Sequence, residues 1–259
     1  MKVPNCPFCG TDRGPVWAEP ATDWHLIENR VLASAGQVSL CAGLGAIVEP
    51  YVIAFTKEHY TAISELDAST RSDVMDALDL CMSSGAFPSG SLTVFEHGGR
   101  SLTSHAACLE HSHLHIIDGN YGFQACLARY PEARQEVISE DSSLVAKEGY
   151  LFAGSYGGTR VIRGILVQKP SCESQFFRRL LASQVGSVQW DWRLSPRPEA
   201  ALALCRRWRK SSPVPPQTCS LPHGYSAATV NSVAALAPKG ESPEGAFRLD
   251  TERPRQRPK

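Results

Sequence analysis

Residues 111–117 read His-Ser-His-Leu-His-Ile-Ile, and this short segment decides the interpretation of the chain. Alternate side chains of a β-strand point to opposite faces, so a strand here places His111, His113 and His115 on one face. Neutral imidazole can donate or accept a hydrogen bond or act as a nucleophile near neutral pH, and protonated imidazole donates two hydrogen bonds to a phosphate. The segment therefore predicts a site of phosphate chemistry. Spacing alone leaves two alternatives open, a three-histidine metal site and a strand that is rich in histidine by chance.

The sequence around this segment predicts a domain of mixed secondary structure. Runs of β-prone residues indicate strands at 24–27, 47–55, 91–96, 111–117, 149–152 and 163–168, with Pro50 interrupting the second one. Apolar residues at helical spacing indicate helices at 64–84, with a start near Ser69 and Thr70, at 174–184 and at 200–210. Gly98 and Gly99 are expected to open a flexible loop that ends at Glu110. Together these elements predict an α+β fold.

Composition and charge exclude several broad classes. Lys and Arg number 26, as do Asp and Glu, so the chain has no net charge that would attract nucleic acid or an anionic membrane. A zinc protein that binds nucleic acid is disfavoured for the same reason. No stretch approaches the roughly 20 apolar residues of a membrane span, and no export signal is visible, so a cytoplasmic protein is expected. The nine cysteines are then expected to be free thiols or metal ligands.

Cys6 and Cys9 form the one close pair of cysteines, in the order Cys-Pro-Phe-Cys-Gly. A gap of two residues lets both thiolates reach one zinc ion from a tight turn. A redox-active pair has the same spacing, but Gly10 and the absence of a thioredoxin-like βαβ context argue against that alternative. The pair is therefore predicted to bind a metal ion.

The segment 111–117 resembles the histidine-triad pattern, in which three histidines alternate with mostly apolar residues. Residues 51–59 (Tyr-Val-Ile-Ala-Phe-Thr-Lys-Glu-His) resemble the strand and turn that precede the triad in that family, and Cys6 and Cys9 resemble its zinc-bearing members. The likeness covers about residues 3–120 and extends to the related galactose-1-phosphate uridylyltransferases. It implies a histidine-triad-like antiparallel sheet with helices packed on it, plus a C-terminal helical extension.

The resemblance also implies a reaction. By analogy with the family, His113 is the nucleophile that forms a nucleotidyl-histidine intermediate, His115 contacts the transferred phosphate, and His111 completes the triad. The implied substrate is a nucleotide or nucleotide conjugate, such as a phosphoramidate or a dinucleoside polyphosphate. Hydrolysis is favoured over transfer because uridylyltransferases carry Gln at the third triad position, where this chain has His115. Small members of the family often form dimers, so a homodimer is an expectation.

For the metal, the resemblance implies a structural zinc ion bound by Cys6, Cys9, His59 and His111. Such a closed site would connect the N-terminal segment to the strand that carries His113.

Four further residues are candidates for substrate binding. His97 lies where smaller family members usually have Asn, and plain solvent exposure is its alternative. Ser104 lies in the loop before the triad, and Cys108 occupies a position where Ser is common; a thiol is a weaker donor than a hydroxyl. Gln175, followed by the paired arginines 178 and 179, could reach a substrate phosphate, although surface ion pairs are the commoner role of such arginines.

Three segments are expected along the chain. Residues 1–125 form the catalytic domain with its N-terminal zinc knuckle, residues 126–210 form an extension packed on the same domain, and residues 211–259 form a disordered, proline-rich tail. The alternative to an enzyme is a nucleotide-binding sensor that uses the same pocket without turnover. The non-serine residue before the triad and Pro50 favour that alternative.

Overall fold

One eight-stranded sheet organises the chain, and each pair of neighbouring strands is antiparallel. The computed structural model describes residues 6, 8, 9, 30–99, 111–146, 149–168 and 175–211. The strands are β1 (Val31–Ala35), β2 (Val38–Ala42), β3 (Tyr51–Thr56), β4 (Leu92–Gly98), β5 (His113–Asp118), β6 (Ala133–Ile138), β7 (Tyr150–Tyr156) and β8 (Ile162–Gln168). Their order across the sheet is β1-β2-β3-β5-β4-β7-β8-β6.

Helices cover both faces of this sheet. Within the described residues they are α1 (Ala68–Ser83), α2 (Phe123–Leu127), α3 (Phe176–Gln184) and α4 (Pro198–Ser211). The predicted α+β fold, an antiparallel sheet with helices packed on it and helices at its C-terminal end, is confirmed. None of the helices in the described ranges is long and apolar enough to cross a membrane.

The two faces of the sheet have separate cores, because successive residues of a strand point in opposite directions. Face A packs against α1 and α4, and its apolar residues include Val94, Leu114, Ile116, Leu78 and Leu204. Face B packs against α2 and α3, and its apolar residues include Phe95, Ile117, Leu151, Phe123 and Phe177. Since Ile117 of β5 points to face B, the side chains of His113 and His115 point there as well.

Strand β5 lies in the middle of the sheet, between β3 and β4. Its His115 is paired with Ile53 of β3 and with Phe95 of β4. A central strand that is hydrogen-bonded on both sides has little freedom to move. The fold therefore places His113 and His115 on an interior strand of the sheet, with their side chains on face B.

The predicted strand at 111–117 begins two residues too early. Strand β5 starts at His113, because the backbone N–H of Ser112 donates to the carbonyl of Tyr60 at 2.6 Å instead of joining the ladder. His111 thus lies just before the strand, where its side chain belongs to a second group of residues described below.

Two other predicted elements also begin too early. Strand β3 starts at Tyr51, directly after Pro50, which has no N–H to donate to a ladder. The predicted helix at 64–84 starts at Ala68, and Asp67 rather than Ser69 caps it by accepting from the Thr70 N–H at 2.7 Å. The residues Ile63–Glu65 before the cap form a separate 3-10 helix.

Several elements were not predicted, namely β1, β2, α2 and β6. Two predictions, the strand at 24–27 and the tail at 211–259 apart from Ser211, fall outside the described residues. The predicted loop at 98–110 begins inside β4, which ends at Gly98, and residues 100–110 also lie outside the described part.

Candidate active site

His113 has the geometry of a nucleophile. Its Nδ1 lies 2.7 Å from the carbonyl oxygen of His111, and a carbonyl only accepts, so Nδ1 carries the hydrogen. The lone pair of the neutral ring is therefore on Nε2. Burial lowers the pKa of His113, and its hydrogen bond to His111 offsets part of that effect. The residue as a whole is 8% exposed, so His113 is buried.

His115 is clamped between two aromatic rings beside His113. Its ring stacks on Phe95 at 4.8 Å and on Tyr51 at 5.7 Å between centroids, and its centroid is 4.9 Å from that of His113. The Tyr51 hydroxyl is 2.6 Å from His115 Nδ1. We assign the hydroxyl as the donor, because a phenol is a stronger acid than a neutral imidazole. This tautomer leaves a hydrogen on Nε2, which can donate to a phosphate oxygen.

The environment also keeps His115 neutral. Burial lowers its pKa well below the usual value, and the positive charges of His113 and Arg178 lower it further. A neutral imidazole with a hydrogen on Nε2 can donate a hydrogen bond but is a very poor proton donor. His115 is therefore suited to stabilise a phosphate oxygen.

His97 lies on strand β4 and not in a loop, which corrects the alternative of plain solvent exposure. Its side chain is half-buried on the face that carries Phe95, two residues earlier. Burial first, and the charge of His113 second, lower the pKa of His97 to about 4. The structure thus brings His97 to the neighbourhood of His113, and its contact with substrate remains a prediction.

A second group of residues could hold a metal ion. One ligand atom from each of Cys6, Cys9, His59 and His111 lies within 4.8 Å of the other three. His111 Nδ1 is 3.2 Å from His59 Nδ1 and 3.3 Å from Cys6 Sγ, and Cys9 Sγ is 3.2 Å from His59 Nδ1. Four tetrahedral ligands at about 2.0–2.3 Å from an ion are about 3.3–3.8 Å from one another. The spacing therefore fits one four-coordinate ion.

The hydrogen bonds of His111 also fit this site. Its Nε2 donates to the carbonyl oxygen of Thr56 at 2.7 Å, so the lone pair is on Nδ1, which faces the two sulfurs and His59. A backbone carbonyl that holds the outer nitrogen is the usual support of a metal-binding histidine. Burial raises the pKa of the Cys6 thiol to about 11, and burial is also the main cause that lowers the pKa of His111 to about 4.

Phe8, between the two cysteines, connects this group to His113. Its ring stacks on Phe55 at 4.7 Å and lies 5.2 Å from the His111 ring and 5.5 Å from the His113 ring. Phe8 is buried, so the turn that carries the cysteines also covers one side of His113. Sequence reasoning missed this role, because the side chain between two ligands gives no signal of what it packs against.

The remaining predicted substrate residues have different outcomes. Ser104 and Cys108 lie outside the described residues. Gln175 is buried, and both ends of its amide are bonded inside the protein: Nε2 donates to Asp191 at 2.9 Å and Oε1 accepts from Arg178 at 3.2 Å. Gln175 therefore supports its neighbours and does not point into open space.

Glu96 is a buried acid beside strand β5 that sequence reasoning did not single out. It accepts hydrogen bonds from the Tyr150 hydroxyl, from the Ile63 N–H at 3.1 Å and from the Ser112 hydroxyl at 3.5 Å. Burial raises its pKa to about 7, and these hydrogen bonds offset part of the effect. Its side chain is on face A, next to β5 but opposite to His113.

The raised pKa of Glu96 makes stability depend on pH. The folded protein keeps a proton on Glu96 between about pH 4.5 and 7 that the unfolded chain has lost, so this group's contribution is full below that interval and is lost as the pH rises through about 7. We expect wild type to lose on the order of 2 kcal/mol more stability than Glu96→Gln between pH 5 and pH 8. Urea unfolding at both pH values measures this. An equal loss in both proteins would contradict the prediction, and the exposed Glu132→Gln is the control.

Comparisons with known proteins add little beyond these observations. No family model matches the chain, and no curated protein matches it. The solved structures that are similar to it include two of one yeast enzyme. One is the crystal structure of yeast Ap4A phosphorylase Apa2, with 15% identity, a TM-score of 0.33 and coverage of 58% of this chain and 61% of that chain. The other is the same yeast enzyme in complex with AMP, with 12% identity, a TM-score of 0.35 and coverage of 84% and 89%.

In the first of these matches, this chain spans less than two thirds of the yeast chain. At this level of similarity neither structure assigns an activity to this protein.

Proposed function

We propose that this protein is a histidine-triad nucleotidyl hydrolase or transferase that acts on the α-phosphate of a nucleotide conjugate. The observation that carries the proposal is the 2.7 Å hydrogen bond from His113 Nδ1 to the His111 carbonyl, because it leaves the Nε2 lone pair available on a ring that burial keeps neutral. A neutral, oriented imidazole is the form that attacks phosphorus.

In the first step, His113 Nε2 forms a bond to the α-phosphorus while the bond from phosphorus to the leaving group breaks. The leaving group keeps the electron pair of that bond, and the nucleotide remains on His113. Negative charge spreads over the equatorial phosphate oxygens in the transition state, so donors that are fixed in advance are the main contribution of the protein. The Nε2–H of His115, held by Tyr51 and stacked between two rings, is such a donor.

In the second step, an acceptor attacks the same phosphorus and the bond to His113 breaks, which restores the neutral ring. With water as the acceptor, the product is a nucleoside monophosphate and the proton of water passes to solvent. With a phosphate as the acceptor, the product is a new nucleotide conjugate. Dividing the displacement into two steps lets the same nucleophile serve both outcomes.

We further propose that zinc is the ion that Cys6, Cys9, His59 and His111 would hold. Two thiolates and two imidazoles in a closed set of four are the ligands of a structural zinc ion. When bound, the ion would connect the N-terminal turn that carries Cys6 and Cys9 to His111, which lies just before β5.

Trapping of the covalent intermediate tests the proposed reaction. Diadenosine tetraphosphate labelled in its α-phosphates is mixed with the protein, and the reaction is stopped in base. A phosphohistidine bond survives base and breaks in acid, so label is expected on the protein after the base quench and is expected to be lost in acid. Adenosine phosphoramidate and a nucleotide sugar serve as the second and third substrates.

The same experiment distinguishes the proposed enzyme from the alternative, a nucleotide-binding sensor without turnover. Label that appears on wild type and is absent from His113→Ala supports the enzyme. Tight binding of the nucleotide with neither adduct nor product would overturn the enzyme and favour a nucleotide-binding sensor.

A further inference from the structure

Arg178 is a buried cation beside the active site. It is the third residue of α3, and its side chain is 5% exposed. Its guanidinium lies over the ring of Tyr51, 5.7 Å from the centroid, and the hydroxyl of that tyrosine is bonded to His115. The Tyr51 side chain therefore lies between Arg178 and the ring of His115, which is proposed to contact the transferred phosphate.

The partners of Arg178 are neutral oxygen atoms. Its Nε donates to the Trp190 carbonyl at 2.8 Å and to the Gln175 side chain at 3.2 Å, and its Nη2 donates to the Gly45 carbonyl at 2.6 Å. Among the residues that the structure describes, no carboxylate oxygen lies within 4.0 Å of the guanidinium, and its Nη1 has no hydrogen-bond acceptor. A buried charge is costly unless it is paired with an opposite charge. An anionic ligand would supply that opposite charge.

The guanidinium is also fixed in position. Gly45 has a φ of 66°, and a Cβ there would lie 2.8 Å from Arg178 Nη2 and 2.6 Å from Trp192 Cβ, so only glycine permits this approach. On the other side, Gln175 joins the cation to Asp191 through its amide. A donor that is held in place before the ligand arrives costs little to order on binding.

The position relative to the two histidines indicates which part of a substrate Arg178 meets. Phe8 and the metal ligands lie on the His113 side, whereas Tyr51 and α3 lie on the His115 side. We propose that Arg178 binds an anionic leaving group, so that the substrate carries at least one phosphate beyond the one that His113 attacks. This inference rests on the proposed function and narrows it to conjugates with a phosphate leaving group.

The chemistry of His115 agrees with this choice. A neutral His115 donates a hydrogen bond but cannot readily supply a proton, as an amine leaving group requires. A phosphate departs as a stable anion and needs no proton. A nearby guanidinium stabilises the charge that develops on it, and its Nη1, which has no acceptor among the described residues, can donate to a phosphate oxygen.

The test compares probes with and without the extra phosphates. Binding of ATP and of AMP is measured by calorimetry on wild type, Arg178→Gln, Arg178→Lys and the control Arg206→Gln, which replaces an exposed arginine of α4. We expect Arg178→Gln to weaken ATP binding at least about 30-fold and AMP binding less than about threefold. Arg178→Lys keeps the positive charge but loses the planar guanidinium, so an intermediate loss of ATP affinity is expected. The control should bind both probes as wild type does.

The ratio of ATP affinity to AMP affinity in Arg178→Gln decides the outcome, because damage to the fold would weaken the binding of both probes alike. Equal loss for ATP and AMP in Arg178→Gln, or no loss for either, would overturn the inference. Should Arg178→Gln fail to fold, the ATP-to-AMP ratio of Arg178→Lys decides in the same way. Binding needs no turnover. Absence of a covalent adduct would therefore contradict the proposed function, while the ratio of ATP affinity to AMP affinity would still test the role of Arg178.

Discussion

Replacement of His113 by Ala is expected to lower kcat at least about 10³-fold while AMP binding stays within a few-fold of wild type. The imidazole supplies the atom that bonds to phosphorus, and no other side chain in the described site presents a free ring nitrogen at this point of β5. Nucleotide affinity should persist, since His115 and the rings that clamp it do not depend on His113 for their contacts with Tyr51 and Phe95. Steady-state turnover and calorimetry give the two numbers.

His115→Ala provides the matched comparison for His113→Ala. It removes a hydrogen-bond donor but leaves the nucleophile, so a loss of about 10²–10³ in kcat with retention of the covalent adduct is expected. Thermal melting and metal content are measured on both variants, because His111 lies two residues before His113. A His113→Ala protein that melts like wild type and turns over within about tenfold of it would show that the nucleophile has been misassigned.

The sequence predicted strand β5 because its alternating histidines have one arrangement in a strand. A histidine at every second position must place the imidazoles on one face, whichever partners the strand finds. The start of the strand was not predictable in this way. It depends on a hydrogen bond from Ser112 to Tyr60, two residues that are distant in sequence.

The elements that the sequence did not reveal are weak in pattern for physical reasons. Strand β6 lies at the edge of the sheet, where one side of the strand has no neighbouring strand. Its sequence Ala-Arg-Gln-Glu-Val-Ile shows little alternation of apolar and polar residues. Strands β1 and β2 consist largely of Ala, Ser, Val and Leu, which fit several structures equally well. These strands form because neighbours cover them, which a single sequence does not show.

The polar side chains at the start of α3 show the same limit of prediction from sequence. The sequence predicted that Gln175, followed by the paired arginines 178 and 179, could reach a substrate phosphate. In the folded chain, Gln175 adopts a φ of 58° before the helix, Arg178 enters the interior and Arg179 stacks on Trp190. Which of three polar neighbours faces the site depends on the angle at which the helix meets the sheet, and that angle is set by tertiary packing.

The second large effect is expected from the metal ligands. Cys9→Ser should lose bound zinc and lower the Tm by about 10 °C or more, since a structural zinc site contributes its binding energy to folding. Cys126→Ser, a half-buried thiol on α2 outside the ligand group, should keep both metal content and Tm. Elemental analysis and calorimetric melting are the measurements. Retention of zinc and of the wild-type Tm in Cys9→Ser would contradict the assignment of the four ligands.

Metal loss should also lower turnover, although no metal ligand needs to touch substrate. The reason is Phe8, whose ring packs on both His111 and His113 and is carried by the turn between the two cysteines. Phe8→Ala separates the two effects: it should keep zinc, because the ligands are intact, but lower kcat by about tenfold as His113 loses the ring that restrains it. If Phe8→Ala kept full activity while Cys9→Ser lost it, metal would act on His113 through His111 alone and not through the aromatic contact.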